Sequence, residues 1–487
     1  MPRLYFVMQE NPPSRPDAKA SGVRIVRTPH FYRPFARLIR LRPVKRGHPW
    51  TLGVTGVILA FGAVILVGTV LLSLPQARAP HTAWSLMDSF FTSTSAVCVV
   101  GLVVRDTGNS WSTFGQGVIL GLIQLGGLGI MTMAMLILVV LRKPITLRDK
   151  VELQETSHQG GIRSVAALIW LTVLVTILFE VFGTLALWWR FHQEATLGNS
   201  LWMAAFHSVS AFNNAGFDLN GNFSSLTGFS HDPFVLLVIA ALIIGGGISV
   251  LVLLDMASKR SWRRLSPNSK TVLLASGALL AVGFISVIVI EFNNPRTIGS
   301  WTVEDKVTNA FFHSVTPRTA GFNSMDVSSM KEQTQLVTMS LMYIGGATGS
   351  TAGGIKVTTF AVLFLATLAS VAGHQHARVF GRRFSHRLVY RALAIAALSS
   401  TIIFVSTLVL MISDPFSLKQ SLFEVVSAFG TVGLTTGATP SLSFTGKITI
   451  CVIMFLGRLG PLTIAYALAR NSKEPRYELP ERDVAIG

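Results

Sequence analysis

Half of the 487 residues are hydrophobic and only 13% are charged, too little charge to cover the surface of a soluble protein of this size. The net charge of +18 would suit nucleic-acid binding in a soluble chain, but here it is laid out in clusters between apolar runs, so no nucleic-acid partner is expected. Two cysteines, Cys98 and Cys451, lie in different apolar regions with neither CxxC nor zinc spacing, which gives no basis for redox or metal chemistry on thiols.

In chain order, residues 1–50 form a basic tail with eleven Lys/Arg against Glu10 and Asp17. Its stretch FYRPFARLIRLRPV (31–44) mixes apolar and basic residues and is expected at the anionic inner membrane surface, with membrane lipids as partners. The first apolar run is long and starts only near residue 51, which does not fit a signal peptide. Apolar runs lie at about 51–74, 114–141, 164–191, 234–257, 271–291, 335–371, 388–413 and 445–469. At about 1.5 Å per helical residue these can cross a bilayer core of roughly 30 Å. Basic clusters at 142–163, 259–270 and 378–391 follow every second run, and the C-terminal tail 471–487 carries Lys473, Arg476 and Arg482. By the positive-inside rule both termini are cytoplasmic.

Between the members of each pair lies a moderately apolar segment too short to cross. These segments align without gaps: FTSTSAVCVVGL from Phe91, FHSVSAFNNAGF from Phe206, FFHSVTPRTAGF from Phe311 and FEVVSAFGTVGL from Phe423. Each phenylalanine stands ten residues before a glycine, namely Gly101, Gly216, Gly321 and Gly433. A second marker follows in the next run: QLGGLG (124–129), IIGGGI (243–248), YIGGAT (343–348) and FLGRLG (455–460). Two markers in one order, four times over, define a tandem repeat. The expected fold is an all-α polytopic membrane protein of four pseudo-symmetric helix–pore-helix–helix units, 51–141, 164–257, 271–372 and 388–470. Eight transmembrane helices and four re-entrant loops would surround a central pore. Because each unit holds an even number of spans, all four point the same way, unlike the inverted repeats of rocking transporters.

A helix of about 12 residues covers roughly 18 Å, half a membrane, so Trp84–Ala96 and its counterparts can enter from outside and stop midway. Their C-terminal ends would aim partial negative charge at the axis. The following residues would turn carbonyls inward to replace part of a cation's hydration shell, as glycine permits. Candidate filter residues are Val97, Cys98, Val99, Val100 and Gly101; Asn213, Asn214, Ala215 and Gly216; Arg318, Thr319, Ala320 and Gly321; and Gly430, Thr431, Val432 and Gly433. The competing reading is that the glycines only let helices pack closely.

The motifs SAVCVVGL, SAFNNAGF, SVTPRTAGF, SAFGTVGL, GGATGSTAGGIK and GRLGP resemble those of the Ktr/Trk/HKT superfamily of potassium transporters over roughly residues 50–470. The resemblance implies one filter glycine per unit at the four positions above, and potassium, with sodium dependence in many members, as the transported ion. Residues 1–50 leave no room for the extra pair of spans of the Trk type, so the chain resembles the Ktr membrane subunit. That subunit is a homodimer on a cytoplasmic ring of regulatory subunits, and any ATP, ADP or NAD binds that ring. No covalent cofactor is implied.

The sixth run is about ten residues longer than a crossing needs, and Gly345, Gly346, Gly349, Ser350, Thr351, Gly353 and Gly354 make a rigid helix untenable there. This stretch, 345–354, is expected to be an intramembrane loop that gates the path, as the resemblance also implies; a broken helix that never moves is the alternative. Arg458, near the centre of the eighth run, is a buried charge and so functional by default. The resemblance implies that it projects into the pore below the filter, whereas a salt bridge to Glu180 or another acid is the bland alternative. Lys356 has a snorkelling alternative, and Arg318 is expected to point away from the ions. Asp88, Asp218 and Glu424 are candidates for anchoring backbone or attracting cations. GSTAGGIK misses the phosphate-binding GxxxxGK[ST] by one residue. Two rivals remain: an ion-coupled secondary transporter, and an intramembrane enzyme, which would need acids or histidines clustered inside spans. Most histidines lie instead in loops.

Overall fold

The computed structural model describes residues 54–80, 84–129, 165–193, 196–374 and 376–460. The basic tail 1–50, the 142–163 cluster and the tail 471–487 lie outside the described residues. Helices recur in sets: a leading helix, a short buried helix and a trailing helix. The leading helices are Val54–Ser73, Val165–Phe191, Pro267–Glu291 and His386–Ser413. Among the described residues three helices are long and apolar enough to cross a membrane, or four if one bent pair counts as a span. They turn large side chains outward, with Trp170, Phe182, Val289 and Ile412 all more than two-thirds exposed. That inside-out pattern suits a surface wetted by lipid.

The short helices are Leu86–Cys98, Leu197–Phe212, Val303–Val315 and Leu418–Gly430. Three begin with a capping hydroxyl: Ser85, Thr302, and Ser417 in a capping box with Gln420. The first starts and ends two residues later than expected. The C-terminal halves of these helices are buried, including their hydroxyls, two of which find carbonyls on the leading helices. Ser93 Oγ donates to Ile65 O at 2.7 Å and Ser208 Oγ to Glu180 O at 2.7 Å, so neither is left unsatisfied.

The gap-free alignment needs a correction in the third set. Phe91, Phe206 and Phe423 are fully buried, but their counterpart is Phe312 rather than Phe311. Four residues on, Ser95, Ser210, Thr316 and Ser427 supply the hydroxyl that braces the following turn. The third helix is therefore shifted by one residue and its turn shortened by one.

The trailing helices, Thr113–Gly127, Pro233–Gly247, Glu332–Tyr343 and Phe444–Leu459, all stop at the second marker. Only the sixth run was expected to break, yet the fourth also bends by 96° after Gly247 before continuing as Val250–Lys259. The sixth resumes as Val357–Val371 after irregular residues 344–356. Close packing explains the glycines. A Cβ on Gly126 would lie 2.0 Å from Val97 O, on Gly246 1.7 Å from Phe212 O, and on Gly457 2.0 Å from Phe429 O. The trailing helices thus run in backbone contact with the ends of the short helices.

Candidate ion-conducting site

After each short helix the backbone makes the same excursion. Val99, Asn214, Thr319 and Thr431 have φ of 55°, 59°, 78° and 52°, and two residues later Gly101, Gly216, Gly321 and Gly433 have φ of 86°, 69°, 81° and 95°. Left-handed φ at β-branched valine and threonine is costly and must be imposed by surrounding contacts. The braces are visible. Val100 N donates to Ser95 O at 2.9 Å, Ala215 N to Ser210 O at 2.7 Å, Val432 N to Ser427 O at 2.8 Å, and, across the shortened turn, Ala320 N to Thr316 O at 3.0 Å. Gly101 N and Gly433 N also donate to Ser95 Oγ and Ser427 Oγ at 3.1 Å.

These turns bring the four glycines into a closed ring. A Cβ on Gly101 would meet Ala215 O at 2.4 Å, on Gly216 Ala320 O at 2.8 Å, on Gly321 Val432 O at 2.4 Å, and on Gly433 Val100 O at 2.1 Å. Each glycine thus faces the carbonyl that precedes the next glycine, and the last turn meets the first. Backbone occupies the place of every side chain, so each position requires glycine. Among the described residues no group of three or more His, Cys, Asp or Glu side chains could hold a metal ion; the oxygens gathered at the ring are main-chain carbonyls, the hard ligands that alkali cations accept.

The remaining candidates divide by direction. Val97, Cys98, Val100, Ala215, Ala320 and Val432 are buried beside the ring. Asn213 turns its side chain away: its amide nitrogen, with two N–H groups to give, lies 2.9 Å from each of Gln124 Oε1, Glu180 Oε1 and Val209 O. Arg318 also points outward, to Ser276 Oγ at 2.9 Å and Ser276 O at 3.4 Å. Gly430 is small because Met342 O would meet its Cβ at 2.4 Å.

Against one end of the ring lies the irregular loop 344–356. Its base is pinned by Gly345 N donating to Ile355 O (2.8 Å) and Val357 N to Gly346 O (3.0 Å). Ala347 N reaches Gly247 O at 3.1 Å and Thr351 Oγ1 reaches Gly246 O at 2.9 Å, fastening the loop to the bend of the fourth run. Gly353 and Gly354 lie against Thr431 and Gly430. Gly349 is left-handed, and Ser350 Oγ donates to Ala347 O at 2.7 Å. Arg458, only 6% exposed, donates to Thr351 O of the loop and to Gly126 O of the first trailing helix. No salt bridge to Glu180 forms; that carboxylate is taken by Gln124 and Asn213. Lys356 does not snorkel either: its Nζ donates to Ala352 O at 2.5 Å. Arg458, Lys356, Thr351, Thr176 and Gly127 line a cavity of about 210 Å³.

At the other end the acids serve mainly as anchors. Asp88 accepts from Arg105 Nε at 2.9 Å and from Lys447 Nζ at 2.8 Å, joining the first and last sets. Glu424 accepts from Thr435 Oγ1 and Thr439 Oγ1 at 2.5 Å and from Thr436 N at 3.1 Å. Asp218, two residues past Gly216, accepts from Asn220 N at 3.1 Å; burial, together with nearby Asp106, pushes its carboxyl up to about 7. Reading the sequence missed the bracing hydroxyls and Gln124, and named Glu180 only as a partner for Arg458. The hydroxyls stand six residues before the glycine in three sets and five before it in the third, a marker that could have been found once the one-residue shift is allowed; Glu180 and Gln124 each occur once and carry no such signal.

Long lipid-facing helices, backbone-packed short helices and a repeated turn define a helical membrane protein built from repeats. The chain belongs to the TrkH family of cation transport proteins, whose family model matches residues 52–478. It is 40% identical over 429 residues to the Ktr system potassium uptake protein B of Bacillus subtilis, covering 88% of this chain and 95% of that protein. It is 36% identical over 433 residues to the potassium/sodium uptake protein NtpJ of Enterococcus hirae, again covering 88% and 95%. The crystal structure of the potassium transporter TrkH from Vibrio parahaemolyticus matches with a TM-score of 0.67 over 87% of each chain at 21% identity, which speaks to the fold. The family and these relatives are cation transporters, not enzymes.

Proposed function

We propose that this chain is the ion-translocating membrane subunit of a potassium uptake system, in which K⁺ passes through the ring of Gly101, Gly216, Gly321 and Gly433. The closed ring is the observation that carries the reading: four backbone turns with the same two left-handed residues, each glycine against its neighbour's carbonyl. In the mechanism that follows, four helix–pore-helix–helix units surround one axis. The C-terminal ends of the short helices lend partial negative charge, and the turn carbonyls replace water around a partly dehydrated cation. The loop 344–356 blocks the inner side and Arg458 latches it there, so conduction requires the loop to move.

The basic residues at 259–270 and 378–391 favour a cytoplasmic face at those loops, both termini inside, and placement in the plasma membrane. A relative named as part of a Ktr system supports a further, regulatory subunit in the system, to which the reading adds the homodimer and cytoplasmic nucleotide-binding ring that the resemblance implies, and the relative named for both ions leaves sodium as a second permeant or activating ion. The test is ⁸⁶Rb⁺ uptake into proteoliposomes loaded with potassium, comparing the wild type with Gly101→Ser. A Cβ there falls 2.4 Å from Ala215 O, so uptake should collapse or lose its preference over sodium. Wild-type uptake by the folded variant, or no uptake by the wild type even with a regulatory ring supplied, would overturn the reading.

A further inference from the structure

The residue three positions before each ring glycine differs in every set: Cys98, Asn213, Arg318 and Gly430. In the second set it is tied into a network the other sets lack. Asn213 is fully buried, and its amide nitrogen donates to Glu180 Oε1 on its own leading helix and to Gln124 Oε1 on the trailing helix of the first set, both at 2.9 Å. Gln124 Nε2 closes the triangle by donating to Glu180 Oε2 at 3.1 Å. Both carboxylate oxygens are therefore engaged by neutral amides, and the amide oxygen of Asn213 lies where a Cβ on Gly127 would be, 1.8 Å away.

The repeat shows that the carboxylate is not there for packing. Ser93 and Ser208 make the same bond to the leading helix, one to Ile65 O and the other to Glu180 O. Glu180 thus stands where the first set has isoleucine. Burying a carboxylate at membrane depth costs free energy that an isoleucine would not. What the carboxylate gains is a rigid hold on Asn213, the residue that enters the strained turn at Asn214 and Gly216.

We propose, resting on the conduction reading above, that Glu180 is a positioning residue: through Asn213 it fixes the second quarter of the ring and thereby sets how well the protein discriminates potassium from sodium. Gln124 is its partner across the boundary between the first two sets. The network has a mirror form, because exchanging the acid and the amide preserves every bond: a glutamate at 124 would accept from Asn213 and from a glutamine at 180. A single Glu180→Gln change instead sets amide against amide, and one bond is lost.

The experiment uses the full-length protein in proteoliposomes, with ⁸⁶Rb⁺ uptake competed by sodium, and with reconstituted amount and melting temperature measured for each variant. Glu180→Gln should lower the Rb⁺/Na⁺ preference about tenfold, the scale of one lost hydrogen bond to a charged group. Glu180→Gln combined with Gln124→Glu should return the preference to within about twofold of wild type, since the mirrored network restores each bond. If Glu180→Gln folds poorly, Asn213→Leu provides the second route to the same loss. A folded Glu180→Gln with wild-type preference overturns the proposal, as does an exchange that restores the melting temperature without the preference. A wild type that takes up no Rb⁺ would instead sink the conduction reading.

Discussion

Replacing Arg458 by methionine removes the guanidinium that bridges Thr351 O of the loop and Gly126 O of the first trailing helix. Only the first of these bonds differs between a loop in place and a loop displaced, so only it biases the proposed gate. A hydrogen bond from a buried charged donor is worth about 1.5–3 kcal/mol net, which converts to roughly a 10- to 150-fold shift from closed toward open. Basal ⁸⁶Rb⁺ uptake, measured with no nucleotide-binding partner present, should therefore rise at least about tenfold. Arg458→Lys separates two ways the arginine could act. An ammonium keeps the charge but not the flat fork that reaches two carbonyls at once. If the latch matters, lysine leaks nearly as much as methionine; if a bare positive charge bars the path, lysine stays tight. Unchanged or reduced uptake by Arg458→Met, at equal amount and melting temperature, would refute the latch.

Further predictions follow from named contacts. In Gly433→Ala the new methyl would fall 2.1 Å from Val100 O at a φ of 95°, so uptake should be lost, whereas Gly62→Ala, with nothing within 4 Å of its Cβ, should transport normally. Asp88→Ala strips Lys447 and Arg105 of their shared acid and should cost about 2–3 kcal/mol of stability, read as a lower melting temperature that Lys447→Met added to Asp88→Ala partly restores. The His231 side chain holds the Asp305 carboxyl below its ordinary value. A carboxyl so depressed adds stability above its unfolded-state value that is lost as pH falls through the folded one. The melting temperature should thus fall slightly on acidification below about 4, and His231→Ala should flatten that dependence; an unaltered profile would discount the contact.

The repeat was open to reading because one backbone problem recurs four times, and its solution, a glycine ten residues after a phenylalanine, is written in residue types. The second marker was equally visible, since the trailing helices press on carbonyls that exclude any side chain. What could not be read was whatever depends on neighbours distant in the chain. Val99 and Thr431 have no preference for left-handed φ; hydrogen bonds from the braced turns impose it. The one-residue shift that makes Phe312 and Thr316 the partners of Phe91 and Ser95 hides in a run where Phe311 and Phe312 are adjacent and the gap-free spacing to Gly321 selects Phe311. The bend after Gly247 was missed because IIGGGI resembles the other markers, and the direction taken by Asn213 depends on Glu180, an acid in an otherwise ordinary apolar run.

The four glycine turns belong to one continuous chain, whereas a ring assembled from identical subunits would repeat every substitution four times. A single codon change here alters a quarter of the ring and leaves three quarters untouched. Cys98, Asn213, Arg318 and Gly430 show what that freedom allows: behind four turns that share the same pair of left-handed residues stand four unrelated supports. On the proposed conduction reading, ion preference can drift by small, separately selectable increments, one support at a time, while the backbone oxygens of the ring keep their arrangement.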